Sequence, residues 1–475
     1  MRPPLREKPL AAPDAALFPP AEERRRIDDW LTRALGEVQA RIQRGPVAPT
    51  IDVPAFVEEL AAIDFDVPRP LEELLRFSIE RMEHGIVQMA NPRYFGLFNP
   101  GANFPAQCAD RIVALFNPQL ASSASSPVPV ALEAHMIRTV ARRAGLAADA
   151  GGHFATGGSE ANYTALLCAL TAAHPGFAQD GARAFPGRPT FYTSRDCHIA
   201  WLKIAHQAGI GRAALRLVDT DGAGRMSPEA LSRAIATDRH AGALPVMVVA
   251  TAGTTGGGMI DPLHASADIA RREGLWYHVD AAWGGAALAS DRLRPLLDGI
   301  ERADSITIDA HKWLATTMGC ALYITTRSAL LSEAFHASTS FMPSSIAAVD
   351  PYLNSVQWSR RFLGLRLFLA LGAAGWRGLG AHVERAVEIA ARIERELAAH
   401  GWRVANASPL AVLDVIPPAV RDVRALVRGI VASGRAWVAP TTFEGRDVVR
   451  ICITNGEVAD ADIAALVAAL TAAAC

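Results

Sequence analysis

The sequence predicts an α/β protein with a mainly parallel central sheet, preceded by a helical arm and followed by a small α+β domain. Three observations carry this. Short β-rich runs alternate with helical stretches through the middle of the chain. Several runs, such as Val246-Met247-Val248-Val249-Ala250, are apolar on both faces, which suits a central strand covered by helices on each side. Both flanks of this region lose the alternation.

Taken in order, residues 1–90 read as a helical arm. An Arg- and Glu-rich stretch runs from Ala21 to Arg44, a Pro-containing break follows, and Pro54–Ala62 and Leu71–Met89 have helical apolar spacing. The arm lacks the repeating units of a self-contained domain, so it is expected to pack on a neighbouring subunit. Residues 91–375 read as the large domain. Its strand runs are Thr190–Thr193, Leu215–Asp219, Pro245–Thr251, Leu275–Asp280, Ser305–Asp309 and Cys320–Thr325, with helices at Ala161–Ala172, Pro228–Thr237 and Pro262–Glu273. Residues 376–475 read as the small domain: a helix at Ala381–His400, strands at Ala411–Ile416 and Val448–Thr454, and a last helix at Ala459–Ala474.

Composition narrows the function classes. A chain of 475 residues has room for a large and a smaller domain. The formal net charge of -1 favours neither a nucleic acid nor a membrane surface as partner. No apolar run reaches the roughly 20 residues that span a bilayer, and Met1–Pro20 lacks the apolar stretch of a signal peptide, so a cytoplasmic protein is expected. The six cysteines (Cys108, Cys168, Cys197, Cys320, Cys452, Cys475) form no CxxC pair, which points to reduced thiols rather than disulfides or a metal. Lysine is nearly absent. Only Lys8, Lys203 and Lys312 occur, and Lys8 falls in the Pro- and Ala-rich N-terminal tail. Arginine keeps its proton and cannot serve as an amine nucleophile, so covalent lysine chemistry has few candidates.

In an open α/β sheet, ligands bind beyond the C-terminal ends of the strands, so residues closing each run deserve first inspection. Asp280 closes one run, in His-Val-Asp-Ala-Ala-Trp-Gly-Gly, either as a turn-former or as partner to a buried cation. The next run ends in Asp309-Ala310-His311-Lys312-Trp313. A lysine at an apolar strand end loses solvation of its charged form, which frees the amine to attack a carbonyl; the competing reading is a snorkelling or ion-paired side chain. An acid and a lysine so placed meet the needs of pyridoxal 5′-phosphate. The lysine binds its C4′ carbon as a Schiff base, and the carboxylate keeps the pyridine nitrogen protonated. Ala155-Thr156-Gly157-Gly158-Ser159-Glu160-Ala161-Asn162 leads into a helix, where glycines and N-terminal amides suit a phosphate and Ser159 adds a hydroxyl. His198 is the candidate to stack on the pyridine ring, and Thr255 to donate to its phenolic oxygen. Arg450 is suited either to grip a carboxylate bidentately or to form a structural ion pair.

Thr-Gly-Gly-Ser-Glu-Ala-Asn at 156–162, His-Val-Asp-Ala-Ala-Trp at 278–283 and Asp-Ala-His-Lys-Trp at 309–313 resemble the group II pyridoxal-phosphate decarboxylases. That family includes aromatic-L-amino-acid, histidine and glutamate decarboxylases and has the fold-type-I architecture. The likeness runs from about Asn91 to the C-terminus and includes Gln357-Trp358-Ser359-Arg360-Arg361-Phe362. It implies a homodimer with active sites at the interface and an amino-acid substrate. It also implies Lys312 as the cofactor's covalent partner, Asp280 at the pyridine nitrogen, His198 and Ala282 on the two ring faces, and Gly157, Gly158, Ser159, Asp309 and His311 around the phosphate. A loop tyrosine returns a proton to the substrate carbon in this family. Tyr352 is the nearest match, although it also reads as an ordinary loop aromatic. The sequence departs from the family where Asn91-Pro92 replaces His-Pro. Leu97 and Phe98, and Gln119 and Ala121 in Gln119-Leu120-Ala121-Ser122-Ser123, stand where the substrate pocket is expected. Their size and polarity put an aromatic substrate in doubt.

The expected reaction is decarboxylation of an L-amino acid to its amine. The same residues also suit an aminotransferase, an aldehyde-forming decarboxylase or oxidase, or a carbon–carbon lyase, since the cofactor carries the hard chemistry. An inactive scaffold of the same fold is a more distant alternative.

Overall fold

The computed structural model describes residues 14–337, 350–420 and 422–474. Lys8, Cys475 and residues 1–13 of the N-terminal segment lie outside the described residues. By internal contacts the chain divides into two units, Met1–Asn91 and Pro92–Cys475.

The first unit holds three helices, α1 (Ala21–Ile42), α2 (Val53–Ala61) and α3 (Leu71–Gly85). Glu22 and Glu23 in the first turn of α1 and Arg41 in its last complement the helix dipole. Asp52 caps α2 by accepting from the Ala55 amide. Arg26–Glu72, Arg41–Glu83 and Arg81–Glu59 pair across the helices at 2.6–2.7 Å.

The second unit opens with α4 (Phe104–Phe116) and α5 (Pro127–Arg143). Then follow β1 (Gly151–Ala155), α6 (Gly158–Ala173), α7 (Phe177–Asp180), β2 (Pro189–Ser194), α8 (Ala200–Gln207), β3 (Leu215–Val218) and α9 (Pro228–His240). Next come β4 (Leu244–Thr251), α10 (Leu263–Glu273), β5 (Trp276–Asp280), β6 (Ser305–Asp309), β7 (Ala321–Thr325) and α11 (Ala329–Phe335). These seven strands form one sheet in the order β1-β7-β6-β5-β4-β2-β3. Only β7 runs against its neighbours, so the other six point their C-terminal ends to one edge. Strands β2, β5, β6 and β7 are buried along their whole length. Helix α6 lies over this sheet, where Ala161, Ala165, Cys168 and Ala169 are small enough for close approach.

The long helix α12 (Gly364–Ala398) breaks at Gly375, whose φ of 64° lies in the left-handed region. Beyond it, β8 (Arg403–Val404), β9 (Val412–Ile416), α13 (Val423–Ala432), β10 (Ala439–Phe443), β11 (Arg446–Cys452) and α14 (Asp460–Ala474) build a four-stranded antiparallel sheet with helices. Residues from both sheets, among them Val279, Ile308, Val415 and Ile451, share one continuous core.

Candidate active site

The C-terminal edge of the large sheet opens into a cavity of about 510 Å³, within the usual range for a small-molecule site. Most of its chemical groups arrive on a strand end or on the turn that follows, with Asn162 from α6 and Arg450 from β11.

Asp280 ends β5 and is buried. Its Oδ1 accepts from the Ala282 amide at 3.2 Å, and its Oδ2 accepts from Asn162 Nδ2 at 2.8 Å. Asn162 lies one helical turn beyond Gly158 on α6. Its Oδ1 is 3.0 Å from His278 Nε2, and His278 Nδ1 is 2.8 Å from Ser305 Oγ, which also accepts from Trp276 Nε1 at 2.9 Å. Burial pulls the His278 pKa down to about 4 against the opposing pull of Asp280. The ring is therefore neutral at pH 7 and has one N–H to give. A consistent set of protons runs one way, from Trp276 through Ser305, His278 and Asn162 to Asp280. The chain orients the carboxylate while Asp280 still lines the cavity.

Lys312 follows β6, and its Nζ lies 3.0 Å from Asp309 Oδ2 and 6.0 Å from the Phe98 ring centroid. Lys203, by contrast, is exposed on α8. Asp309 is buried and its Oδ1 has no hydrogen-bond partner. His311 Nδ1 sits 3.0 Å from the Cys320 carbonyl, and its Nε2 3.8 Å from Asp309.

The cradle forms where β1 hands over to α6. Gly157 is extended, with φ 174° and ψ 169°, and a Cβ there would meet nothing within 4 Å. At Gly158 a Cβ would lie 2.9 Å from Asp309 Oδ2. Glu160 reaches back to accept from the Thr156 amide and hydroxyl at 2.9 and 2.5 Å, and Gln357 Nε2 donates to both its oxygens. This ties the turn entering α6 to the first turn of the helix and to the segment around Gln357. Ser159 lines the cavity beside the glycines.

His198 lies in the loop after β2, fixed by the Ala200 amide donating to its Nδ1 at 3.2 Å. Loss of water lowers its pKa; Asp280 and Asp309 oppose this and Lys312 adds to it. Thr255 and Ala282 line the cavity, as do Leu97 and Phe98. The approach of residues 92–98 depends on Gly96, because a Cβ there would lie 1.7 Å from the Trp437 ring. Gln119, Ala121 and Tyr352 do not line the cavity of this chain. Gln119 Oε1 accepts from the Arg360 amide at 2.9 Å, the Ala121 carbonyl accepts from the Tyr352 amide at 3.1 Å, and the Tyr352 ring packs on Trp358.

Sequence reasoning gave no role to Asn162, Trp283 or Met318, all of which line the cavity, whereas Asn99 and Thr251 fall in segments it placed at the site. Asn162 was accessible to it: a polar residue four positions after Gly158 shares that helix face. Arg450, left open between two readings, also lines the cavity. Its Nη1 donates to the Thr255 carbonyl at 2.6 Å, and its guanidinium lies 5.2 Å from the Phe98 ring centroid. No ion pair within 4 Å is formed by Arg450 among the described residues.

These groups fit pyridoxal 5′-phosphate. Lys312 would hold its aldehyde carbon, Asp280 its ring nitrogen, and the start of α6 with Ser159 its phosphate. The open space beside Gly157 and the unpartnered Asp309 Oδ1 lie where such a group would be received. No cluster of three or more His, Cys, Asp or Glu suited to a metal occurs among the described residues.

Residues 60–404 match the model of the pyridoxal-dependent decarboxylase conserved domain. The chain belongs to the pyridoxal-dependent decarboxylase family. Its cofactor is pyridoxal 5′-phosphate. Among the relatives of this decarboxylase-family chain is cysteine sulfinic acid decarboxylase of Mus musculus, 36% identical over 321 residues, or 66% of this chain and 64% of the relative. Acidic amino acid decarboxylase GADL1 of Homo sapiens is 34% identical over 335 residues, 70% of this chain and 63% of the relative. The chain thus matches somewhat less than two-thirds of either relative's length. The crystal structure of mouse CSAD in apo form superposes with a TM-score of 0.87 at 27% identity, covering 94% of this chain and 98% of that one. Oryza sativa TDC with PLP and tryptamine has the same fold, with a TM-score of 0.89 at 24% identity over 95% and 98% of the two chains.

Proposed function

We propose that the chain decarboxylates an amino acid carrying a second acidic group, releasing carbon dioxide and the matching amine. The observation that carries this reading is the meeting of Lys312, Asp280 and Arg450 in one cavity, with both cations over the Phe98 ring. The relatives are named for cysteine sulfinic acid and acidic amino acids as substrates, and an arginine that lines the cavity suits such a second acid.

When bound, pyridoxal phosphate supplies a protonated ring that takes up the electron pair of the bond to the departing carboxylate. The chain's own residues do the positioning. Lys312 would hold the cofactor's aldehyde carbon through its amine. Asp280, oriented by Asn162, holds the ring nitrogen's proton. The amides at the start of α6 and the Ser159 hydroxyl bind the phosphate. His198 and Ala282 would cover the two faces of the cofactor's ring, and Thr255 would donate to its phenolic oxygen. Arg450 draws the second acid to one side, which leaves the first free to stand across the ring. Tyr352 returns a proton to the α-carbon once carbon dioxide has left.

The working form is a homodimer with its active sites at the interface. Helix α4 supports this, since Phe104, Leu115 and Phe116 are 72%, 80% and 74% exposed there, an apolar face that a second copy would cover. In that arrangement Tyr352, Gln119 and Ala121 serve the partner's cavity. The residue 1–90 arm, with Val53, Val57 and Phe65 exposed, packs on the neighbouring subunit. A cytoplasmic location agrees with the free thiols Cys108, Cys168, Cys197, Cys320 and Cys452. Among the described residues no helix is long and apolar enough to cross a membrane.

The test is to incubate the cofactor-loaded protein with a pool of acidic, aromatic and aliphatic amino acids and identify products by mass spectrometry. Amines from acidic substrates, with equimolar carbon dioxide, are expected. Keto acids, aldehydes or amines from aromatic substrates alone would overturn the reading.

A further inference from the structure

Behind Arg450 lies a carboxyl group that the chemistry above does not use. Asp414 on β9 is the register partner of Arg450 on β11, so the two side chains leave the sheet on the same face. Asp414 is fully buried and neither carboxylate oxygen has a hydrogen-bond partner; Arg450 Nε is likewise without one. Buried polar groups are almost always satisfied, so an orphaned acid beside an orphaned guanidinium N–H calls for an explanation. Space there is tight: a Cβ at Gly257 would lie 3.1 Å from Asp414 Oδ2. The other ionisable groups facing Asp414 are Asp196, from the loop after β2, and Cys452 on β11. Burial raises the Asp414 pKa to about 7; Arg450 opposes this and Asp196 reinforces it.

We propose that Asp414 sets the charge that Arg450 presents to the cavity, taking up one proton from solvent when an anionic group of the substrate arrives at Arg450. The inference rests on the reading of Arg450 as receptor for the substrate's second acid. With Asp414 ionised, the pair is neutral and attracts an anion weakly. With Asp414 protonated on one oxygen, Arg450 presents a full positive charge. Two carboxylates at one guanidinium in a water-poor site cannot both stay ionised cheaply, so the incoming acid shifts Asp414 to its neutral form. Asp414 is thus a positioning residue that favours doubly acidic substrates and makes their binding depend on pH.

The experiment titrates the cofactor-loaded protein with succinate, which carries two acids and no amine, and with butyrate, which carries one acid. Calorimetry in buffers of different ionisation enthalpy between pH 6 and 8.5 reads proton uptake. Wild type should take up close to one proton per succinate at pH 8, and its succinate affinity should fall up to tenfold per pH unit above the Asp414 titration. Asp414→Asn should bind succinate without proton uptake, with a flat profile and tighter than wild type at pH 8. Zero uptake by wild type overturns the proposal even if the variant does not fold. Arg450→Gln separates the two ideas. If it leaves the preference for succinate over butyrate intact, the Arg450 reading fails. If it abolishes that preference while Asp414→Asn keeps the wild-type profile, only the Asp414 proposal fails.

Discussion

Two adjacent glycines in the cradle should respond to the same substitution in opposite ways. A Cβ at Gly158 would lie 2.9 Å from Asp309 Oδ2 and 3.1 Å from its Oδ1. Asp309 cannot yield freely, because it is buried and holds Lys312 at 3.0 Å. Gly158→Ala should therefore destabilise the cofactor-free protein by about 1–3 kcal/mol, the usual cost of overpacking. At Gly157 a Cβ would meet no protein atom within 4 Å, and φ of 174° is open to any residue. Gly157→Ala should leave cofactor-free stability within about 0.5 kcal/mol of wild type. Its methyl group would instead enter the space a phosphate needs, and a tenfold loss of cofactor affinity corresponds to about 1.4 kcal/mol. Urea unfolding of the cofactor-free proteins and fluorescence titration with pyridoxal phosphate separate the two effects. The reasoning is refuted if Gly157→Ala binds the cofactor as tightly as wild type, or if Gly158→Ala matches wild-type stability.

Other outcomes follow from buried polar groups. Asn162→Ala removes the donor to Asp280 and the acceptor of His278. It should cost about 2–4 kcal/mol in urea unfolding and more than tenfold in turnover while the cofactor still binds. Arg360 pairs with Glu133 at 3.3 Å, with side chains only 4% and 7% exposed. Arg360→Ala should cost about 3–5 kcal/mol, because it strands a buried carboxylate; unchanged unfolding would contradict this. The Asp414 pKa, raised from 3.8 to about 7 by burial, makes its stabilising effect fully present below pH 3.8 and lost as pH rises through 7. A shift of about three units is worth at most about 4 kcal/mol. Asp414→Asn should therefore gain on wild type as pH rises from 5 to 8, and urea midpoints at both values check it.

Much of this architecture was legible in the chain, and the gaps have physical causes. The runs ending at Asp280 and Asp309 were readable because their strands are buried on both faces and alternate with amphipathic helices. Strand β1 was not, since Gly151-Gly152 reads as a turn and its pairing with β7 depends on a distant segment. Pro440 hid β10, and β8 is only two residues long. Lys312, Asp280 and the Gly157–Ser159 turn stood out because their residue types serve one chemistry at strand ends. The role of Arg450 was ambiguous because its surroundings, the Thr255 carbonyl and the cross-strand Asp414, come from distant segments that no local pattern encodes. Tyr352, Gln119 and Ala121 were assigned by resemblance alone, and spacing along a chain cannot say whose cavity a residue serves.

The central claim is that Lys312 carries the cofactor, and the scarcity of lysine makes it directly testable. Reduction of the cofactor-loaded protein with borohydride fixes pyridoxal phosphate to whichever amine holds it, and peptide mass mapping then has only Lys8, Lys203 and Lys312 to distinguish. The added mass is expected on the peptide containing Lys312 and lost in Lys312→Ala together with turnover. Stoichiometric label on Lys203, or a fully active Lys312→Ala protein, would contradict the account.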